Sequence, residues 1–346
     1  MNMNNPQFFT GGYATEESIC FWELQKIEGK LLRFDSISGF ANPSYLTMSS
    51  DGKNLYAVSE LGDAGEVFAF SLDDNMRPSL MNRLAIKGKA ACHLAVSEKL
   101  LITANYLSGS LSVLSLNDDG SLNKVIDEIE QKLPQGENIA SYAHSVLFIP
   151  ESKKLLAANL GLDKLFVYTV DHKSGKLTEL EQESLSFPKG SGPRHMVRNP
   201  LKSDLLYVLC ELSSQVYTVK IDAPLQVIQC ISTLPENCCD ENSSAAIKVS
   251  QDGRFIYASN RGFDSIAVYH VEENGQLKLS GVVKTGGSCP RDFELFDDHA
   301  VVAYQRSDLL EVFKIDKTSG LFKETGVTTE ATAPVCVCSV STIPSG

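Results

Sequence analysis

Asn42-Pro43-Ser44-Tyr45-Leu46-Thr47-Met48-Ser49-Ser50-Asp51-Gly52-Lys53-Asn54-Leu55-Tyr56-Ala57-Val58-Ser59-Glu60 reads as a short apolar strand, a tight turn, a second apolar strand and a closing polar residue. The phrase returns in looser form at 91–106, 143–160, 193–211, 244–261 and 290–305, and a half-copy begins at Pro334. Self-similarity at a period of about 50 residues marks a solenoid, propeller or array. A third alternating stretch follows each copy, as in Ser265-Ile266-Ala267-Val268-Tyr269, whose β-branched and aromatic content suits a strand. Then come a glycine turn, such as Glu273-Asn274-Gly275, and a more polar fourth stretch. Four antiparallel strands per unit describe a propeller blade.

Six units run from Asn42 to Thr329, and the two ends of the chain supply a seventh. Residues 334–341 give its first strand; 7–13, 18–24 and 31–37 give the other three. Such closure pairs strand edges that would otherwise template aggregation. The expectation is an all-β, seven-bladed β-propeller forming a single domain over residues 1–346. Long helical periodicity is missing, and an open solenoid would need capping repeats.

The formal charge of −12 argues against nucleic acid or an anionic membrane as partner. No run of eighteen apolar residues suggests a membrane span. Residues 1–6 lack the basic and apolar regions of a signal peptide, so the expected location is the cytoplasm. Nine cysteines, several inside apolar strands, read as reduced buried thiols. Cys336-Val337-Cys338 and Cys238-Cys239 lack zinc-site spacing, and no metal or cofactor is expected.

In a blade the first strand is innermost and the second runs back beside it. First-strand starts and second-strand ends therefore gather at one mouth of the channel. Ser44, His93, His144, Arg194, His195 and Arg291 stand at the starts; Glu60, Asn105, Tyr106, Asn159, Glu211, Asn260, Arg261 and Gln305 stand at the ends. Blade packing does not require such groups there, although an asparagine at a blade mouth often only ties off a turn.

Taken together and in order, Ala104-Asn105-Tyr106, Gly192-Pro193-Arg194-His195, Cys210-Glu211-Leu212-Ser213-Ser214 and Ala258-Ser259-Asn260-Arg261-Gly262 resemble the seven-bladed lactonase family. That family includes bacterial propeller-type 6-phosphogluconolactonases and fungal muconate-lactonizing enzymes. The resemblance implies catalytic residues His144, Arg194, Glu211 and Arg261, with Glu60, His93, Asn105, Tyr106, Asn159, His195, Arg291 and Gln305 as substrate-binding residues. It favours a small anionic sugar lactone, 6-phosphogluconolactone of the oxidative pentose phosphate route, as substrate. Many relatives have His, Asp and His where this chain has Tyr142, Asn159 and Phe263, so a relay through those positions is not implied.

Glu211 or His144 is the candidate general base. Arg194 and Arg261 are candidates to neutralise an oxyanion, and an arginine, Arg291 included, to grip a phosphate or carboxylate. Glu60 and Glu211 among cations make a poor calcium cage, and no Gly-x-Ser-x-Gly elbow occurs. Two other readings remain: a lactonizing or cycloisomerase enzyme acting on a carboxylate substrate, and a non-catalytic binding scaffold.

Overall fold

The computed structural model describes residues 5–26, 29–97, 99–133, 139–236, 238 and 241–340. They form seven antiparallel sheets of four strands, consecutive in the chain in all but one, and one sheet gains a short fifth strand, Leu185–Ser186. The fold is the all-β seven-bladed propeller that the repeat predicts. Among the described residues there are two single-turn 3₁₀ helices, Pro150–Ser152 and Glu181–Glu183, and no helix long and apolar enough to cross a membrane.

The chain divides into two compact bodies. The first, Gly39–Arg194, holds sheets that open with the strands Tyr45–Met48, Ala91–Ser97 and Ala143–Ile149. The second comprises the described residues of Met1–Ser38 and His195–Ser341. Its sheets include those opening with Ser243–Val249 and Pro290–Phe296, and the one that joins both ends of the chain.

The turn of the repeated phrase is built alike in both bodies. Ser49 Oγ donates to Asp51 Oδ1 (2.7 Å) and accepts from the Asn54 N–H, while the Lys53 N–H donates to Asp51. Ser250, Asp252, Arg254 and Phe255 repeat all three bonds. The serine and aspartate thus satisfy backbone donors that a two-strand reversal leaves open. Second strands are covered on both faces: every residue of Leu100–Asn105 and of Leu205–Cys210 is buried. Fourth strands are half exposed, as in Phe322–Glu330. This gradient explains why second strands read as continuous apolar runs and fourth strands as polar ones.

The closing sheet has the order Pro334–Ser339, Gln7–Gly12, Ile19–Gln25, Lys30–Ile37. Phe9 pairs with Cys338 and Gly11 with Cys336. Trp22 is buried there and donates its indole N–H to Thr10 Oγ1 at 2.8 Å, so its one polar atom is satisfied. Ser341, which the sequence places in the closing strand, and Cys239 of the vicinal pair lie outside the described residues.

Candidate active site

Second-strand ends and first-strand starts meet through one recurring backbone bond. The residue after the second strand donates its N–H to the residue just before the first: Glu60 to Asn42, Tyr106 to Ala90, Gln305 to Cys289. Asn42, Ala90 and Cys289 have φ of 49°, 51° and 63°, as does Gly192 at 65°. Left-handed backbone at alanine or cysteine is uncommon and needs support from its surroundings. Ala90 donates its N–H to the Leu61 carbonyl, and at Gly192, Cys289 and Ala333 an aspartate of the preceding blade supplies the support. Asp163 accepts from Gly190 and Gly192 N–H, both at 2.7 Å, Asp264 from Cys289 at 2.8 Å, and Asp308 from Ala333 at 2.7 Å. A proline follows each latched residue, and the next residue is Arg194, Arg291 or Val335. The latch therefore fixes the backbone that presents Arg194 and Arg291.

In several blades a β-bulge then re-aims one side chain, whereas Tyr45–Met48 pairs with Asn54–Ser59 in unbroken register. Ala143 pairs with Asn159 and Ser145 with Ala158, leaving His144 as the extra residue; Arg291 is the extra residue between Pro290 and Asp292. In the second sheet the extra residue is Cys92, between Ala91 and His93. Cys92, not His93, therefore shares the repeat position of His144. Aligning Ala91-Cys92-His93 beneath Ala143-His144-Ser145 would have revealed this offset.

In the first body His144 is 4% exposed. Its Nδ1 lies 3.9 Å from Cys92 Sγ, and its carbonyl oxygen lies 3.4 Å from the same sulfur. Tyr106 meets the imidazole edge-on at 5.5 Å and stacks on Tyr142 at 4.7 Å. Tyr142, absent from the sequence-derived site, is part of this ring cluster. His93 Nδ1 accepts the Val146 N–H of the next blade at 3.4 Å, and its ring stacks on Tyr45 at 4.0 Å. Accepting at Nδ1 places the neutral ring's proton on Nε2.

Asn105 and Asn159 depart from the binding role assigned by sequence. Both are fully buried. Asn105 donates to Ser110 and Ser112 and accepts from Thr103. Asn159 accepts from the Tyr142 and Leu162 N–H groups and donates to Gln131 and Ser141, using all four hydrogen-bonding capacities of its amide. These asparagines tie blade segments together and present nothing to a ligand. Glu60 follows the strand Asn54–Ser59 and is partly exposed.

In the second body Glu211 and Arg261 form a salt bridge at 3.0 Å, with side chains 17% and 13% exposed. Arg261 also donates to the carbonyls of Ser243 (3.3 Å) and Ser244 (3.0 Å). The guanidinium is thereby held in one orientation by its own blade. Arg291 donates to Gln305 Oε1 (3.4 Å) and to the Tyr13 hydroxyl (2.8 Å) and lies over the Tyr13 ring. Asn260 is buried in bonds with Thr233, Ser244 and Ser265. Phe263 carries Lys284 Nζ 3.4 Å from its ring centre.

Arg194, 3% exposed, and His195 are the second and third residues of Pro193–Arg198. Among the described residues no cluster of three His, Cys, Asp or Glu side chains is placed to hold a metal ion.

The chain is 34% identical over 343 residues to the 6-phosphogluconolactonase of Bacillus subtilis strain 168, covering 95% of this chain and 97% of that protein. The solved periplasmic gluconolactonase PpgL of Pseudomonas aeruginosa superposes with a TM-score of 0.90 at 26% identity, covering 98% of this chain and 99% of that one. A Lactobacillus plantarum protein of known structure gives 0.87 at 30% identity, over 96% and 98% of the two chains. Residues 7–339 match the family described as lactonase, 7-bladed beta-propeller, and the chain belongs to that family.

Proposed function

We propose that the reaction is hydrolysis of 6-phosphogluconolactone to 6-phosphogluconate in the cytoplasm, with His144, Arg194, Glu211 and Arg261 as its catalytic residues. The observation that carries this reading is the Glu211–Arg261 pair. It is a carboxylate beside a guanidinium that two backbone carbonyls hold in place. Hydrolysis asks for such a pair. Water adds to the lactone carbonyl carbon as a base takes its proton. The carbonyl oxygen becomes an oxyanion, and its collapse breaks the ring C–O bond. The ring oxygen leaves with a proton, giving the hydroxy acid.

Glu211 or His144 takes the first proton. A fixed arginine stabilises charge that develops in the transition state, usually the largest single contribution to such catalysis. Arginine also suits phosphate, which it meets with two parallel N–H bonds. The name of the B. subtilis relative supports the phosphorylated substrate, and that of the P. aeruginosa relative an unphosphorylated one. No disulfide joins the eight described cysteines to one another, in keeping with a reducing compartment.

The test is turnover of δ- and γ-lactones, with and without phosphate, at neutral pH and corrected for spontaneous opening. Preference for the phosphorylated δ-lactone is the expected outcome. Equal turnover without phosphate would overturn the choice of substrate. No turnover above the spontaneous rate would leave the binding-scaffold reading.

A further inference from the structure

Three blades carry a tyrosine at the third position of the second strand: Tyr56, Tyr207 and Tyr257. The first two hydroxyls are capped by the next blade. Tyr56 donates to the Gly120 carbonyl at 2.8 Å and Tyr207 to the Gly275 carbonyl at 3.2 Å. The corresponding glycine for Tyr257 is Gly320, yet among the described residues no hydrogen bond ties the Tyr257 hydroxyl to the protein; the residue is 1% exposed overall and borders a surface groove.

The cause lies in the facing turn and in the residue beneath it. Asn117 N–H closes its turn on the Ser121 carbonyl, and Glu272 on Gln276, whereas Asp316 reaches Leu321, one residue further. Beneath the glycine stands Phe255, where the other two blades have Asn54 and Leu205. Arg254 lies over that ring and donates to the Lys317 carbonyl.

The result is a surface groove of about 180 Å³, with Tyr257 in its lining beside the apolar walls Phe255, Leu295 and Ile315. At its rim Arg254 is paired with Asp252 (2.6 Å) and Lys317 with Asp297 (3.1 Å), so the charge there is locally balanced. Burial and the Asp252 charge push the Tyr257 hydroxyl above the usual tyrosine range, so at neutral pH it keeps its proton and can donate. The groove lies at the opposite end of the strand Phe255–Arg261 from Arg261, about 20 Å away at strand spacing.

We propose that this groove is a second binding site, for a small uncharged molecule with one apolar ring and an oxygen acceptor that takes the Tyr257 hydroxyl hydrogen bond. An ionic guest would have to disturb an existing ion pair, and an uncharged one disturbs neither. The proposal is independent of the lactonase chemistry.

The test is an NMR titration of the whole protein with p-cresol. Expected are saturable shifts at Tyr257, Leu295 and Ile315 with a millimolar dissociation constant. Binding should weaken about 5-fold in Tyr257→Phe, the size expected for one hydrogen bond, and vanish in Leu295→Trp, which fills the groove. Without ligand, Tyr257→Phe should melt no lower than wild type, whereas Tyr56→Phe and Tyr207→Phe, which lose a cap, should melt lower. Non-saturating shifts, or equal affinity in wild type and Tyr257→Phe, would overturn the proposal. A Tyr257→Phe protein destabilised as much as the other two would show that its hydroxyl is capped from within.

Discussion

Glu60 and Arg194 apart, the strand ends of Gly39–Arg194 carry mainly rings, whereas those of His195–Ser341 carry mainly charge. In the first body Tyr106 stacks on Tyr142 and meets His144 edge-on, while Tyr45 stacks on His93, which is also tied to backbone. In the second, Glu211, Arg261 and Arg291 are fixed by ion pairing and by bonds to carbonyl, amide and hydroxyl groups. The backbone device is the same in both: a left-handed residue before the first strand and a bulge within it. One scaffold therefore displays either kind of chemistry, and the residue at the bulge decides which. On the proposed function the two groups should fail differently when disturbed: rings that touch substrate equally in ground and transition states would change KM, and oriented charge that meets the transition state would change kcat.

The largest effect should come from Glu211→Gln, which keeps the shape but loses the proton acceptor. Loss of a general base typically lowers turnover about 10²–10⁴-fold. Steady-state kinetics should show the loss in kcat with KM little changed; an unaltered kcat would return the role of base to His144.

Next come the aspartate latches, compared across the bodies. Asp163→Gly and Asp308→Gly each remove a carboxylate where φ is 49° and 52°, values glycine adopts freely. Only the first presents an arginine; the second presents Val335. Asp163→Gly should lower kcat/KM about 10–100-fold, since small misplacements of a positioning group are costly. Asp308→Gly should lower only the melting temperature. Equal kinetic losses would show that the latch acts through global stability.

Smaller still is Tyr142→Ala, which removes the partner stacked on Tyr106. Its KM should rise about 3–10-fold, of the order expected for an aromatic pair, with kcat nearly unchanged. A fall in kcat alone would assign Tyr142 to chemistry and erase the distinction between the bodies. The smallest is His93→Ala. Losing one inter-blade hydrogen bond should lower the melting temperature by about 1–3 °C and leave kcat within about 2-fold.

His93 also shows where sequence reading stops. The repeat, its serine–aspartate turn and the shared terminal blade are local patterns, and each is visible as residue type at fixed spacing. The strand ends that carry His144, Glu211 and Arg261 follow from the same spacing. A bulge does not, because one inserted residue shifts which side chain faces outward without leaving a signature of its own. Hence His93 looked equivalent to His144 when Cys92 is. Asn105 and Asn159 posed the opposite difficulty, since a polar residue at a blade mouth reads alike whether its amide is spent internally or offered to a ligand. Tyr142 was legible only as a departure from relatives, and its stacking on Tyr106 depends on bringing separate blades together.

The pairing of Pro334–Ser339 with Gln7–Gly12 has a consequence for synthesis in the cell. The strand Gln7–Gly12 leaves the ribosome long before its partner Pro334–Ser339 is translated. At typical elongation rates the interval is roughly 15–65 s. Through that time Phe8 and Phe9, both fully buried in the finished protein, sit on an edge whose partner has not yet been made. Holdase chaperones should therefore engage the nascent hairpin of Gln7–Gly12 and Ile19–Gln25, and release it only when Pro334–Ser339 arrives.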